Sequence, residues 1–412
     1  MNRIEMRIRA KLLVGLLSLA VFFSLPAPQI NAETRLIESK NFQIYTDLSE
    51  EKAEELSDRL EKMLTLVSGY WGRPNRKPIR MFVIDDFSNW SSDEISRMSP
   101  EGVQFVRDGG GVTMTRYKAI VGGPKVDAET IVYATAAREN PQHEAVHAYC
   151  GGTFGGTGPV WYSEGMAEVG KYWREGEKGV NASDYVIEYL TSHPPKPLRD
   201  LVDNPLEQTG DSWQNYSWRW ALCHLLGFND NYSPKFRPLG LALLAERNVS
   251  FAKVYGPQIP EIDFEYRQFL KDLTKNYRCD LCSWDWKTKF RPLSSRSRVT
   301  SKVRAGRGWQ ATGVSVKKDQ TYSFVAKGEW SLSSDGPLLG AGGGQTGSGV
   351  LVGAIFSDYE LSEEFEIGAV STWTAPNDGD LFVRCRDDWG SLDDNDGSVE
   401  LRIQFDSSNE GN

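Results

Sequence analysis

His143 and His147 stand four residues apart and enclose a glutamate in the run His143-Glu144-Ala145-Val146-His147. On a helix this spacing turns both imidazoles to one face, so one metal ion can take both. Glu144 then sits beside that ion and can accept a proton from bound water. Zinc lowers the pKa of such a water to about 7, giving a usable nucleophile at neutral pH. Histidine is scarce, with only His143, His147, His193 and His224 in the whole chain. Half of them falling in one pattern is hard to ascribe to packing.

A catalytic zinc takes three protein ligands and leaves one position open. Glu164 is the candidate third ligand, 17 residues after His147 within Trp161-Tyr162-Ser163-Glu164-Gly165-Met166-Ala167-Glu168. The Gly-rich stretch 155–158 lets the chain double back, so the helix bearing Glu164 packs on the helix bearing the histidines. Ser163 is the expected N-cap of that helix. Glu168, one turn on, shares the face of Glu164 and is expected to orient a histidine from behind. Cys150 also falls on the histidine face, where a buried structural thiol is the expectation and an approach to the metal the alternative.

The elements that position these residues follow from periodicity. Residues 36–45 read as a strand pair, 50–70 as an amphipathic helix and 79–84 as a buried strand, a β-α-β opening. A strand is expected at 130–134, then a helix over 142–150 stopped by Gly151-Gly152, then a second helix over 163–173. Residues 180–278 look largely helical. Composition shifts near residue 283, and the basic, Ser- and Pro-containing stretch 283–297 suits a linker. Beyond it come short alternating runs at 310–316, 322–326, 349–356, 381–385 and 399–405, separated by Gly, Pro, Asn and Asp. That is the pattern of a small β-sandwich. The expected fold class is α+β for 33–282, followed by an all-β sandwich over 298–406 and a tail at 407–412.

Residues 1–32 read as a secretory signal. Arg3, Arg7, Arg9 and Lys11 precede a 14-residue apolar run at 12–25, short for a spanning helix, and Ile30-Asn31-Ala32 offers a cleavage site. A secreted or periplasmic location is therefore expected. The chain carries −9 overall, and −12 once residues 1–32 with their +3 are removed. Such acidity argues against nucleic acid or an anionic membrane as the main partner. Five cysteines, Cys150, Cys223, Cys279, Cys282 and Cys385, leave at least one thiol. The lone Cys279-Asp280-Leu281-Cys282 reads as a local disulfide or as two core thiols, not as a zinc ribbon.

His-Glu-x-x-His followed by Ser163-Glu164-Gly165-Met166-Ala167-Glu168 resembles the gluzincin zinc metallopeptidases, and more closely the peptidase MA-like exported proteins. The resemblance implies zinc on His143, His147 and Glu164, with Glu144 as general base and acid. It also implies a strand before the first helix that holds substrate backbone by β-addition, placed here at 130–134. Such enzymes add a Tyr or His to stabilise the oxyanion, and Tyr216 is the first candidate and His224 the second. The Gly-x-Met-x-Asn exopeptidase signature is absent, and Gly109-Gly110-Gly111 is only a faint echo of it.

Residues 298–406 resemble the β-sandwich of the PA-I type galactophilic lectin, through Trp309-Gln310-Ala311-Thr312-Gly313-Val314, Ala326-Lys327-Gly328-Glu329-Trp330 and the acidic loop 387–397. By position, Asp387, Ser391, Asp394 and Asn395 match that family's calcium loop, whose metal bridges protein and sugar hydroxyls. The family's ligand Tyr has no counterpart in 331–335. The leading expectation is an exported zinc metallopeptidase, an endopeptidase, acting on protein or peptide substrates, with a glycan- or surface-directed module. The alternatives are a non-catalytic glycan-binding protein with a structural zinc site, and a zinc amidase acting on a non-peptide polymer.

Overall fold

The computed structural model describes residues 33–119, 125–137, 139–202, 212–294 and 297–406. Residues 1–32, which read as a secretory signal, and the tail 407–412 lie outside the described residues.

β1 (Arg35–Glu38) pairs antiparallel with β2 (Phe42–Thr46). α1 (Glu50–Trp71) follows, with Ser49 accepting from the Lys52 N–H at its start and left-handed Gly72 at its end. It returns the chain so that β3 (Ile79–Ile84) lies parallel to β2. α2 (Ser92–Ser96), α3 (Pro100–Arg107), β4 (Gly111–Ala119) and β5 (Lys125–Thr135) come next. The sheet order is β1-β2-β3-β5-β4, with β5 parallel to β3 and antiparallel to β4. The strand expected at 130–134 to hold substrate is thus interior, hydrogen-bonded on both sides. The free edge belongs to β4, because a hairpin lays 111–119 outside β5.

One sheet face buries Phe42, Ile44, Met81, Val83, Val132 and Ala134 in a core shared with α1 and the helices that follow. The other buries Ile84 and Tyr133 with Val103 and Val106 of α3. α4 (Asn140–Phe154) packs against β4 and β5. It does not stop at Gly151-Gly152 but runs on to Phe154 and ends at left-handed Gly155. Gly151 is needed inside the helix, since a Cβ there would lie 2.8 Å from Thr115 Oγ1. α5 (Val160–Tyr172) starts at Pro159, not at Ser163, which lies inside the helix. α6 (Asp184–Ser192), α7 (Leu198–Val202), α8 (Trp213–Phe228), α9 (Ser233–Leu244), α10 (Phe251–Tyr255) and α11 (Ile259–Lys271) complete this unit. Gly165 of α5 lets α8 come close, as a Cβ there would meet Arg219 O at 2.7 Å.

The second unit is all β. It comprises β6 (Arg291–Pro292), β7 (Arg298–Arg304), β8 (Gln310–Val316), β9 (Thr321–Ser331), β10 (Leu351–Ser357), β11 (Glu360–Leu361), β12 (Phe365–Glu366), β13 (Val370–Thr374), β14 (Gly379–Cys385) and β15 (Asp396–Phe405). One sheet runs β11-β10-β14-β8-β6 and the other β13-β9-β15-β7. Their facing side chains, among them Val314, Phe324, Trp330, Leu381 and Leu401, form a separate core. The described residues therefore make an α+β unit followed by an all-β one. No helix among them is long and apolar enough to cross a membrane. All five cysteines are free thiols, so Cys279 and Cys282 follow the second of their two expectations.

The stretch 283–297, which reads as a linker, is partly built into the structure. Trp284 is buried and stacks on Phe382 of β14 at 4.1 Å, with Phe264 of α11 edge-on at 4.7 Å. Buried Glu265 of α11 accepts from Trp284 N at 3.1 Å, Trp286 Nε1 at 2.7 Å, Tyr232 OH at 2.6 Å, and the amides of Asn229 and Asn231 at 2.6 and 3.0 Å. β6 adds to the second unit by pairing parallel with β8. This packing explains why β14 is buried on both faces: Leu381 and Val383 face the sandwich core, and Phe382 faces the joint. Trp284→Ala should lower stability by about 3–5 kcal/mol. Urea unfolding with limited proteolysis checks this, and an unchanged midpoint with unchanged protection near residue 284 would remove the joint from the account.

Candidate metal centre

α4 presents His143 and His147 side by side toward α5, their ring centroids 4.8 Å apart. Each ring is pinned through Nδ1. His143 Nδ1 pairs with Glu168 Oε1 at 2.9 Å, and His147 Nδ1 with Ser163 Oγ at 3.2 Å. Both Nε2 atoms are thereby turned to one point, 3.1 Å from each other. Glu164 Oε2 stands 3.3 Å from the first and 3.4 Å from the second. Ligands about 2.05 Å from a tetrahedral centre stand about 3.3 Å apart, so these separations fit zinc without rearrangement. His143, His147 and Glu164 form the one group of three or more His, Cys, Asp or Glu side chains able to hold a metal among the described residues.

The surroundings complete the pattern of a supported ligand set. Glu168 is buried and takes Lys171 Nζ at 3.3 Å as well as the His143 ring. Lys171 was missed in sequence, although it continues the Glu164–Glu168 face of α5 by three residues. Burial opposes a charge on His143, yet hydrogen bonds with Glu164 and Glu168 outweigh it and raise its pKa to about 10. Burial also penalises the Glu164 carboxylate, but the His147 charge and the hydrogen bonds from both imidazoles hold it well below the usual carboxylate range. Glu168 is likewise lowered, burial being overcome by His143 and Lys171. At pH 7 the metal-free His143 thus holds a proton that a metal must displace. Zinc binding should release about one proton and tighten about tenfold per pH unit through neutrality. Calorimetry in two buffers of different ionisation enthalpy reads this directly, and zero proton release would contradict it.

Glu144 projects from the same helix toward β4, where Thr113 Oγ1 donates to its Oε2 at 2.8 Å and lies equally close to its main-chain oxygen. Thr113 carries no local sequence signal, since the contact joins a strand and a helix 31 residues apart. A cleft of about 950 Å³ brings His143, Glu144, His147 and Glu164 together with the start of β4 and the N-terminal turn of α8. Tyr216 lies in that cleft, its ring centroid 5.6 Å from that of His143, with the Arg219 guanidinium over the Tyr216 ring at 5.6 Å from its centroid.

His224 is not in the cleft. Eight residues beyond Tyr216, it faces Trp220, Phe228 and Phe269, and burial lowers its pKa to about 3. Its candidacy for the oxyanion is withdrawn on position. Cys150 is buried in the core, where burial pushes its thiol up, and its sulfur is not part of the converging group.

In the loop between β14 and β15, Asp387 Oδ2 and Asn395 Oδ1 are both buried with no hydrogen-bond partner. Burial raises the Asp387 pKa, and the charges of Asp388 and Asp394 add to that. Ser391 is half-buried with its N–H on Asp388 O at 3.0 Å, and Asp394 is exposed. Two orphaned hard oxygens, one from a carboxylate and one from an amide, are the donor type that calcium takes, and the charge of Asp394 acts on the same site.

No family model matches the chain, and no curated protein matches it. A solved structure described as "EclA N-terminal domain; PllA-like lectin" is similar at 19% identity, covering 26% of this chain and 96% of that one, with a TM-score of 0.22. At that score the likeness supports nothing about fold or binding.

Proposed function

We propose that this chain is an exported zinc-dependent metallopeptidase, an endopeptidase, with a C-terminal module directed to glycans or surfaces. The observation that carries the reading is the convergence of His143 Nε2, His147 Nε2 and Glu164 Oε2 at 3.1–3.4 Å, each imidazole fixed by its own Nδ1 partner. A zinc ion held there would supply Lewis acidity for the scissile carbonyl and the attacking water. Glu144, aimed into the same cleft and steadied by Thr113, takes the proton of that water and delivers it to the leaving nitrogen. Tyr216, whose ring lies in the cleft 5.6 Å from that of His143, would donate its hydroxyl to the developing oxyanion. Glu168 and Lys171 keep the His143 ring oriented through the cycle.

Edge strand β4 supports a peptide over a non-peptide polymer. Its start lines the cleft beside Glu144 and, among the described residues, it pairs only with β5. An extended chain can add to it and bring an amide across the ligand group. Export rests on residues 1–32 as read from sequence. The test is digestion of an unfolded protein substrate by purified protein, after chelation and after zinc is returned. Activity lost on chelation and restored by zinc supports the reading; activity indifferent to both ends it.

For the second unit, Asp387 and Asn395 would hold calcium with help from Asp394 and Ser391. Terbium luminescence sensitised by Trp389 and displaced by calcium is expected, with Asp387→Ala abolishing it. A variant that retains the signal would show that this loop is not the site.

A further inference from the structure

We propose that the end of the cleft formed by α6 and the start of α8 is a subsite for a bulky apolar or aromatic side chain of the substrate, next to the reacting amide. This rests on the peptidase reading above. Few large hydrophobic side chains are exposed among the described residues, and three of them, Phe105 at 40%, Tyr185 at 44% and Trp213 at 42%, line this one cleft. The others, Leu36, Leu338, Tyr359 and Val370, are not part of it. A cluster of exposed aromatic side chains around a cleft marks a binding surface, whereas scattered ones mark nothing.

Trp213 is held as a platform. Tyr185 meets its ring at 5.3 Å and 76°, and Tyr189 at 5.1 Å and 65°. Tyr189 is itself anchored on buried Trp218 at 5.7 Å. Tyr216 follows Trp213 by one helical turn and reaches His143 at 5.6 Å, so the aromatic wall runs to the ligand group. The described lining on this side, Tyr185, Ser212, Trp213 and Tyr216, carries no charge. On the floor, Glu164 faces both imidazoles, and Glu168 meets His143 and Lys171. An apolar substrate side chain gains aromatic contact on this pre-ordered wall.

Two measurements separate this subsite from the peptidase reading. The first is calorimetric binding of matched Phe- and Gly-containing peptides to zinc-loaded Glu144→Gln protein. The Phe peptide should bind about tenfold or more tighter, and Trp213→Ala in the same background should erase most of that ratio while Trp213→Phe restores it. The second is the Phe-to-Gly ratio of kcat/KM for the active protein, expected to collapse in Trp213→Ala mainly through KM. Trp213 is half-exposed, so its truncation does not threaten the fold. Equal binding of the two peptides, or a ratio untouched by Trp213→Ala, overturns the subsite whatever the hydrolysis result. Discrimination in binding without hydrolysis by the wild type leaves the subsite standing and removes the peptidase reading.

Discussion

Glu144→Gln is expected to lower peptide hydrolysis about 10²- to 10⁴-fold while zinc stays bound. The substitution keeps the shape of the side chain and removes only its capacity to take a proton. Glu144 is not one of the three converging ligands, so the metal group is left intact. Thr113 also lies against the main-chain oxygen of residue 144, which keeps the strand and helix in place. Steady-state kinetics beside zinc stoichiometry on the same preparation reads both halves. A Gln variant with full activity would sink the assigned chemistry, and one lacking zinc would mean that Glu144 supports the metal.

His147→Ala is expected to weaken zinc about 10²- to 10³-fold, which follows from dividing a typical 10–16 kcal/mol among four ligands. Glu168→Gln should cost less, about 10- to 100-fold, because it acts only through the His143 ring. The order of the two losses carries the test, since a purely structural histidine pair would show no such ranking. Competition titration against a chromophoric chelator gives both affinities. Wild-type zinc affinity in His147→Ala would overturn the ligand assignment.

The ligand group was legible because its geometry is local. A spacing of four from His143 to His147, and one of four from Glu164 to Glu168, each fix a helix face without knowledge of the fold. The packing of α5 on α4 needed one further step, supplied by the Gly-rich turn. What could not be read were contacts between distant elements. Nothing near Thr113 announces that β4 is the sheet edge, or that it meets Glu144. Ser163 looks like a cap because Ser before a helix usually is one, yet Pro159 starts the helix and frees that hydroxyl for His147. Gly151-Gly152 looks like a stop, but Gly151 answers to the approach of Thr115. The segment 283–297 looks like a linker because its burial depends on Phe382, Phe264 and Glu265, supplied by the units on either side. His224 and Tyr216 share a helix, but eight residues turn it about 80° and place His224 in the core.

The central claim is that the group at His143, His147 and Glu164 serves hydrolysis of peptide bonds. Its most direct test is digestion of a diverse peptide library by zinc-loaded wild type, read by mass spectrometry beside Glu144→Gln. Internal cleavages made by the wild type alone are the predicted result. Identical, uncut spectra from the two proteins would contradict it.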